Sequence, residues 1–331
     1  MNPQRIINMA SSFYESCVLF TASDLGIFKT LSETARPASM VAEASGLDER
    51  GTTLLLNACT ALGLLEKKDG LYRNTDEASA FLVPEAPGDL TGAIRYNRDV
   101  YEAWGRLPEL VKTGKPVEEP EVHLGANTER TRAFVMAMHG RALGIGKAVV
   151  PSLNLEGCTS ILDVGGGPGT YSILIARQNP HINSTIIDLP EIVAVADELI
   201  GAENMEDKVR TVGADYHEAE FPDGQDAVLF FGVLHQESAA DIAGLLEKAF
   251  DALKPGGLVY ILDMMTDATH TNPKFSALFA VNMALTARNG WVFSDAELSK
   301  WLSQAGFTDF KCNRLPPPMP HWLASALKPS K

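Results

Sequence analysis

The chain has 331 residues, 45% of them hydrophobic and 21% charged, enough to bury more than one sizeable core. A formal net charge of −14, with neither half basic, argues against nucleic acid or an anionic membrane surface as partner. The four cysteines (Cys17, Cys59, Cys158, Cys312) are dispersed, with no C-x-x-C pair or accompanying histidine cluster, so the pattern offers no metal site and suits reduced thiols in the cytoplasm.

The opening "MNPQRIINMASSFYESC" is an interrupted amphipathic pattern, not a signal peptide or a membrane span. Helices with short breaks are expected as far as about Val111, the runs Ile6–Leu19 and Ala93–Val111 carrying more apolar residues than a small domain buries alone. Within this part, "PASMVAEASGL" and "DERGTTLLLNACTALGLL" read as two helices divided near Gly46, and "LLEKKDGLYRNT" as a hairpin turning at Asp69-Gly70. Helix, helix, hairpin is a winged-helix order. Its second helix has Arg50 as its one basic residue, so a scaffold or dimerisation module is favoured over DNA binding, which needs several phosphate contacts.

The Pro-, Glu- and Gly-rich stretch 113–128 reads as a linker between a front domain (1–112) and a back domain (129–331), which opens with a long helix. Beyond it, strands are expected at Ser160–Val164, Ser184–Asp188, Val209–Gly213, Ala227–Leu234 and Leu258–Asp263. Helices are expected at Thr170–Gln178, Glu191–Leu199 and Ala239–Leu253. Alternating apolar strands and helices imply a mostly parallel sheet covered on both faces. Two tail strands around Pro316-Pro317-Pro318 would add an antiparallel edge and bring the sheet to seven.

The stretch "ILDVGGGPGTYSILIARQNP" crowds glycines after a strand and before a helix. A dinucleotide fingerprint would want glycines at 165, 167 and 170, but 170 is threonine, and the Gly-Lys-Ser/Thr of a phosphate loop is absent. Gly165, Gly167 and Gly169 let backbone approach a ligand, and the helix start near Gly169 favours a negative group. The methionine carboxylate of S-adenosylmethionine would fit there, with Asp163 toward its cationic side. Asp188, ending the next strand in "TIIDLPE", can accept from both ribose hydroxyls, with Leu189 beside it. Asp215 and Tyr216, after the third strand, can meet the adenine amino group and ring.

With these motifs the chain resembles the class I S-adenosylmethionine-dependent methyltransferases. More narrowly it is similar to the small-molecule O-methyltransferases that include caffeate, isoflavone, acetylserotonin and bacterial polyketide-tailoring enzymes. The likeness covers nearly the whole chain, including "TASDLGIFKTLSE", "ALGLLEKKDGLYRNT" and "ALKPGGLVYILDM". It implies a Rossmann-like α/β fold, a seven-stranded mostly parallel sheet behind an N-terminal, mainly helical winged-helix dimerisation domain. It also implies a homodimer, S-adenosyl-L-methionine as cofactor with S-adenosyl-L-homocysteine as product, and a small, aromatic or polyketide-like acceptor hydroxyl.

The family's catalytic base maps to His235 in "DAVLFFGVLHQESAAD", and its first supporting carboxylate to Asp263. The second maps near Val292 and is lost, Gln236 replaces the usual aspartate after the histidine, and Phe231 stands where plant members carry a cofactor-contacting lysine. The resemblance places Met138, His139, Phe279, Met283 and Trp291 at the acceptor, with Phe275 and Asn282 in the same region. Methyl transfer to sulfur, nitrogen or carbon, a cofactor-binding relative that does other chemistry, and a winged-helix regulator are the alternative readings.

Overall fold

The computed structural model describes residues 2–119, 125–317 and 319–330; residues 120–124 of the expected linker and Pro318 of the expected proline turn lie outside the described residues. By internal contacts the chain forms two compact units, Met1–Asp99 and Val100–Lys331.

The first unit contains α1 (Gln4–Ser11), α2 (Phe13–Asp24), α3 (Ile27–Thr30), β1 (Arg36–Pro37), α4 (Ala38–Ser45), α5 (Glu49–Ala61), β2 (Leu65–Lys68), β3 (Leu71–Asn74), α6 (Asp76–Phe81) and α7 (Thr91–Asp99). The run expected as one helix over Ile6–Leu19 is divided at Ser12. Gly46 ends α4 in the left-handed region at φ 65°, and Asp48 caps α5 by accepting from the Gly51 N–H at 2.7 Å. Asp69 and Gly70 both have positive φ, 50° and 79°, the geometry that joins two twisted strands in a two-residue hairpin. The sheet order β1-β3-β2 adds a short strand that the sequence pattern had not indicated. Phe28, Val41, Leu56, Cys59 and Tyr72 fill the core, and burial pushes the Cys59 thiol up to about 11. Helix α1 buries nothing within this unit: Ile6, Ile7 and Met9 are 66%, 56% and 57% exposed.

The second unit begins with α8 (Tyr101–Gly105), α9 (Leu107–Thr113) and α10 (Thr128–Val149). The stretch read as one helix over Ala93–Val111 is therefore three helices, and Pro108 sits in the first turn of α9, where a missing N–H costs nothing. Then follow β4 (Ser160–Val164), α11 (Thr170–Gln178), β5 (Asn183–Asp188), α12 (Pro190–Ala202), β6 (Val209–Gly213), β7 (Gln225–Phe231), α13 (Ala239–Ala252), β8 (Leu253–Asp263), α14 (Lys274–Thr286), α15 (Asp295–Gln304), β9 (Thr308–Arg314) and β10 (Trp322–Leu327). Helices α8 and α9 pack against α14.

The seven strands run in the order β6-β5-β4-β7-β8-β10-β9, the first five parallel and β10 antiparallel to both its neighbours. Strand β7 shows why so apolar a sequence is needed. Val228 and Phe230 enter one core with Leu245, Leu246 and Ile261, while Ala227, Leu229 and Phe231 enter the other with Val149, Ile175 and Tyr260. Alternate residues face opposite cores, so a buried central strand is apolar throughout. The strand expected to run to Leu234 stops at Phe231, because Gly232 turns into the left-handed region at φ 75° and a single 3-10 turn follows at Leu234–Gln236. Strand order reverses between β4 and β7, so ligands are expected at the carboxyl ends of these two strands.

Candidate active site

Strand β4 delivers Asp163 into the interior with 1% exposure. Ser172 Oγ donates to its Oδ2 at 2.7 Å, whereas Oδ1 is buried with no hydrogen-bond partner. Burial, only partly opposed by the Ser172 bond, raises this carboxyl to about 7. Gly165 has φ 64°, and a Cβ there would lie 2.6 Å from Val233 Cγ2, so no other residue fits. Gly167, at φ 54°, has open space where a Cβ would stand, and its N–H donates to Asp188 Oδ2 at 2.8 Å. Gly169 leads into α11.

The other Asp188 oxygen accepts from the Leu189 N–H at 2.8 Å, and burial lifts this carboxyl to about 6 against those two bonds. Tyr216 reaches the same place: its Cε1 is 3.5 Å from where a Gly165 Cβ would be. Its hydroxyl donates to the buried Glu237 at 2.5 Å, and Lys248 Nζ donates to its carbonyl at 2.7 Å. The fold thus gathers Asp163, the glycine turn, Asp188, Leu189 and Tyr216. Asp215 is exposed and accepts from the His217 N–H at 2.9 Å. Phe231 packs in the core, edge-on to Tyr171 at 5.0 Å, among apolar side chains.

The open space at Gly167, the unpartnered buried oxygen of Asp163 and the Gly169 helix start form a cradle with a negative wall and a positive floor. They fit an adenosyl cofactor bearing an ammonium and a carboxylate on one arm, as S-adenosylmethionine does. Among the described residues no group of His, Cys, Asp and Glu could hold a metal ion.

The chemistry-bearing pair lies at the ends of β7 and β8. His235 Nδ1 is 2.7 Å from Asp263 Oδ1, with the two residues 8% and 0% exposed. Met264 N–H donates to the same oxygen at 2.8 Å, and His235 N–H donates to Oδ2 at 3.2 Å. A carboxylate to which two backbone N–H groups already donate is an acceptor toward the imidazole as well, so the ring carries its proton on Nδ1 and leaves the Nε2 lone pair free.

Among the residues that the resemblance assigns to the acceptor, Phe279 meets the His235 ring edge-on at 5.3 Å, and Phe275 stacks on Phe279 at 6.2 Å. Phe279 and Met283 cluster with Met264 and Val292, so the position that the resemblance gives the second carboxylate is an apolar, buried one. Trp291 braces the chain around His235: its N–H donates to the His235 carbonyl at 3.0 Å and its indole N–H to the Glu237 carbonyl at 2.7 Å. His139 Nδ1 is 2.8 Å from Thr170 Oγ1 at the start of α11, and burial lowers its basicity. Met138 is half-buried beside it. The Asn282 amide oxygen accepts from Trp104 Nε1 at 2.9 Å.

Two residues near the His235–Asp263 pair escaped the sequence reading, Arg141 and His321. Arg141 Nη2 lies 3.4 Å from His321 Nε2 and 3.8 Å from Met264 Sδ. The antiparallel register of β10 with β8 brings His321 there, since Trp322 stands opposite Asp263. No local motif marks them.

A mostly parallel seven-stranded sheet with a glycine cradle at its switch point and a His–Asp pair at the next strand ends is the fold of a methyltransferase with an adenosyl donor. Comparison with known proteins narrows this. The O-methyltransferase domain family matches residues 121–308, and the O-methyltransferase dimerisation domain family matches residues 7–84. The 3-hydroxy-5-methyl-1-naphthoate 3-O-methyltransferase of Streptomyces sahachiroi is 32% identical over 98% of this chain and 95% of its own. The tetracenomycin polyketide synthesis 8-O-methyl transferase of Streptomyces glaucescens is 32% identical over 93% of this chain and 92% of its own. Among solved structures, human N-acetylserotonin methyltransferase in complex with S-adenosylmethionine superposes with a TM-score of 0.88 at 26% identity, covering 98% of this chain and 97% of that one. The chain belongs to the S-adenosylmethionine-dependent O-methyltransferase family.

Proposed function

We propose that this protein transfers a methyl group to a hydroxyl on a small aromatic acceptor of the polyketide type, with His235 as general base. The observation that carries the reading is the buried His235–Asp263 pair, 2.7 Å apart, at the same sheet end as the glycine cradle. The two Streptomyces relatives, named for a naphthoate and for tetracenomycin, support the acceptor class.

When bound, S-adenosylmethionine supplies an electrophilic methyl group on a sulfonium. Asp188 accepts from the ribose hydroxyls while its carboxylate stays tied to the Gly167 and Leu189 N–H groups. The unpartnered oxygen of Asp163 receives the ammonium, and Tyr216, fixed through Glu237, lies along the adenine. Phe279 and Met283 form the apolar wall against which the acceptor ring lies, excluding water and aligning its oxygen. His235 takes the hydroxyl proton on Nε2, Asp263 holds the tautomer that leaves Nε2 free, and its charge stabilises the imidazolium that forms. The front unit is a dimerisation module whose exposed α1 side chains meet a second copy.

The test is direct. The purified protein is incubated with S-adenosylmethionine carrying a trideuterated methyl group and with 3-hydroxy-1-naphthoate, and the product is analysed by mass spectrometry. Transfer to the hydroxyl oxygen is expected; transfer to ring carbon, or none with any hydroxyarene, overturns the reading.

A further inference from the structure

Arg141 and His321 form a polar pair that nothing in the reaction just described uses. Arg141 projects from α10 and is half-buried. Among the described residues its guanidinium finds no carboxylate; its polar contacts are the Met264 sulfur and His321 Nε2. A guanidinium cannot lose its proton in a protein, so this charge stands partly desolvated against a thioether and a neutral ring.

His321 is 7% exposed. Because Arg141 can only donate, Nε2 of His321 must accept, and the ring proton is therefore on Nδ1. That Nδ1 is buried and has no hydrogen-bond partner. Burial, followed by the Arg141 charge, lowers the imidazole to about 3, so the ring stays neutral and keeps this tautomer at all ordinary pH. A half-buried guanidinium whose partners are a thioether and a neutral ring nitrogen is a costly arrangement in an empty site and a favourable one beside an anion.

The pair also has a definite place. Met264, which Arg141 touches, follows Asp263 directly and lies in one cluster with Phe279, whose ring meets the base. The anion it selects would thus sit at the Met264 edge of the cluster whose Phe279 ring meets His235.

We propose that Arg141 and His321 form a carboxylate-binding subsite of the acceptor pocket, so that the acceptor is a hydroxyarene carrying a carboxylate. The carboxylate takes the free guanidinium N–H groups, while His321, accepting on Nε2, holds the guanidinium in place. This deepens the methyl-transfer reading and rests on it for the location of the acceptor.

The experiment compares two probes that differ only in that group, 3-hydroxy-1-naphthoate and 2-naphthol, titrated calorimetrically into the enzyme with and without S-adenosylhomocysteine. Wild type is expected to bind the naphthoate roughly 10- to 100-fold more tightly than the naphthol. Arg141→Met should bring the naphthoate down to the naphthol's affinity, Arg141→Lys should keep part of the preference, and His321→Phe should remove a smaller share. Thermal melts of all variants, and the retained preference in the lysine variant, separate loss of the subsite from loss of fold. Equal affinity for the two probes in wild type, or an undiminished preference in Arg141→Met, overturns the proposal. So does a variant whose main loss is in adenosylhomocysteine affinity, since Arg141 would then serve the cofactor. A wild type that binds no adenosylhomocysteine overturns the methyl-transfer reading instead, and the carboxylate preference is still read on the free enzyme.

Discussion

Replacing Asp263 by asparagine isolates one charge with little change in volume. The carboxylate accepts from His235 Nδ1 and the Met264 N–H on one oxygen and from the His235 N–H on the other. An amide can keep one of these oxygens and must turn its NH₂ toward a donor on the other side. With the oxygen kept toward Nδ1, the His235 N–H loses its acceptor, which costs about 1–3 kcal/mol of stability. The imidazolium formed in the transition state then has no counter-charge. At an effective dielectric of about 20 and a separation of about 4 Å, that attraction is about 4 kcal/mol. Since the proton is only partly transferred at the transition state, the expected loss in kcat is about 10²–10³-fold. Initial rates of trideuteromethyl transfer to 3-hydroxy-1-naphthoate, beside calorimetric titration with adenosylhomocysteine, measure both sides of the claim. Cofactor affinity should stay within about twofold of wild type, because Asp263 touches none of the cradle residues named here. A rate within about threefold of wild type would refute the role given to this carboxylate.

Asp188→Ala removes the acceptor of the Gly167 and Leu189 N–H groups together with the ribose contact; adenosylhomocysteine affinity should fall by roughly 100-fold or more with the circular-dichroism spectrum unchanged. Wild-type affinity would take Asp188 out of the site. Light scattering at micromolar concentration should give a dimer mass, and Ile6→Glu with Met9→Glu should shift it toward monomer, because α1 exposes these side chains within its own unit. Cofactor binding should depend on pH through Asp163. Its carboxyl is raised to about 7 in the free enzyme, and a bound ammonium would lower it again. Binding then expels a proton below pH 7, so affinity weakens as pH falls, by up to about tenfold per unit, and is flat above. Calorimetry in buffers of different ionisation enthalpy reads the released proton, and Asp163→Asn should abolish the slope between pH 6 and 7, leaving the part below about pH 6 to Asp188.

The cofactor half of the site was legible because each of its groups is tied to a strand end. Alternating strands and helices fix which end of the sheet opens to ligand, and Asp163, the glycines and Asp188 follow at set offsets from β4 and β5. His235 and Asp263 were legible for the same reason, at β7 and β8. Gly232 holds a further signal: a glycine inside an apolar run ends β7 early and creates the turn on which His235 sits. Pro108 was a second such signal, for the start of α9. The acceptor half was less legible. Arg141 meets His321 through the register of β10 against β8, which no local pattern encodes. The resemblance alone places Trp291 at the acceptor; that both its N–H groups hold the His235–Glu237 segment follows from tertiary contacts that no local pattern encodes. Phe231 follows the alternation of β7 into the core, whatever side chain relatives place there.

An apolar Val292 where the resemblance expects a second carboxylate would have a kinetic consequence. With Met264, Phe279, Met283 and Val292 clustered beside the base, Asp263 is the carboxylate that steadies the His235 imidazole. The base then matters in proportion to how little of the acceptor is already ionised. A phenol of pKa about 10 is about 0.1% phenolate at pH 7, so removing the base can cost up to about 10³-fold there. At pH 9 about 10% is phenolate, and the cost should shrink to about tenfold. His235→Asn keeps a polar side chain of smaller size and cannot accept the proton. Its rate deficit, measured with 2-naphthol between pH 6.5 and 9, should therefore fall steadily as pH rises, while adenosylhomocysteine affinity stays near that of wild type. A deficit that stays constant over this range would mean that His235 positions the acceptor oxygen and that its proton leaves by another route.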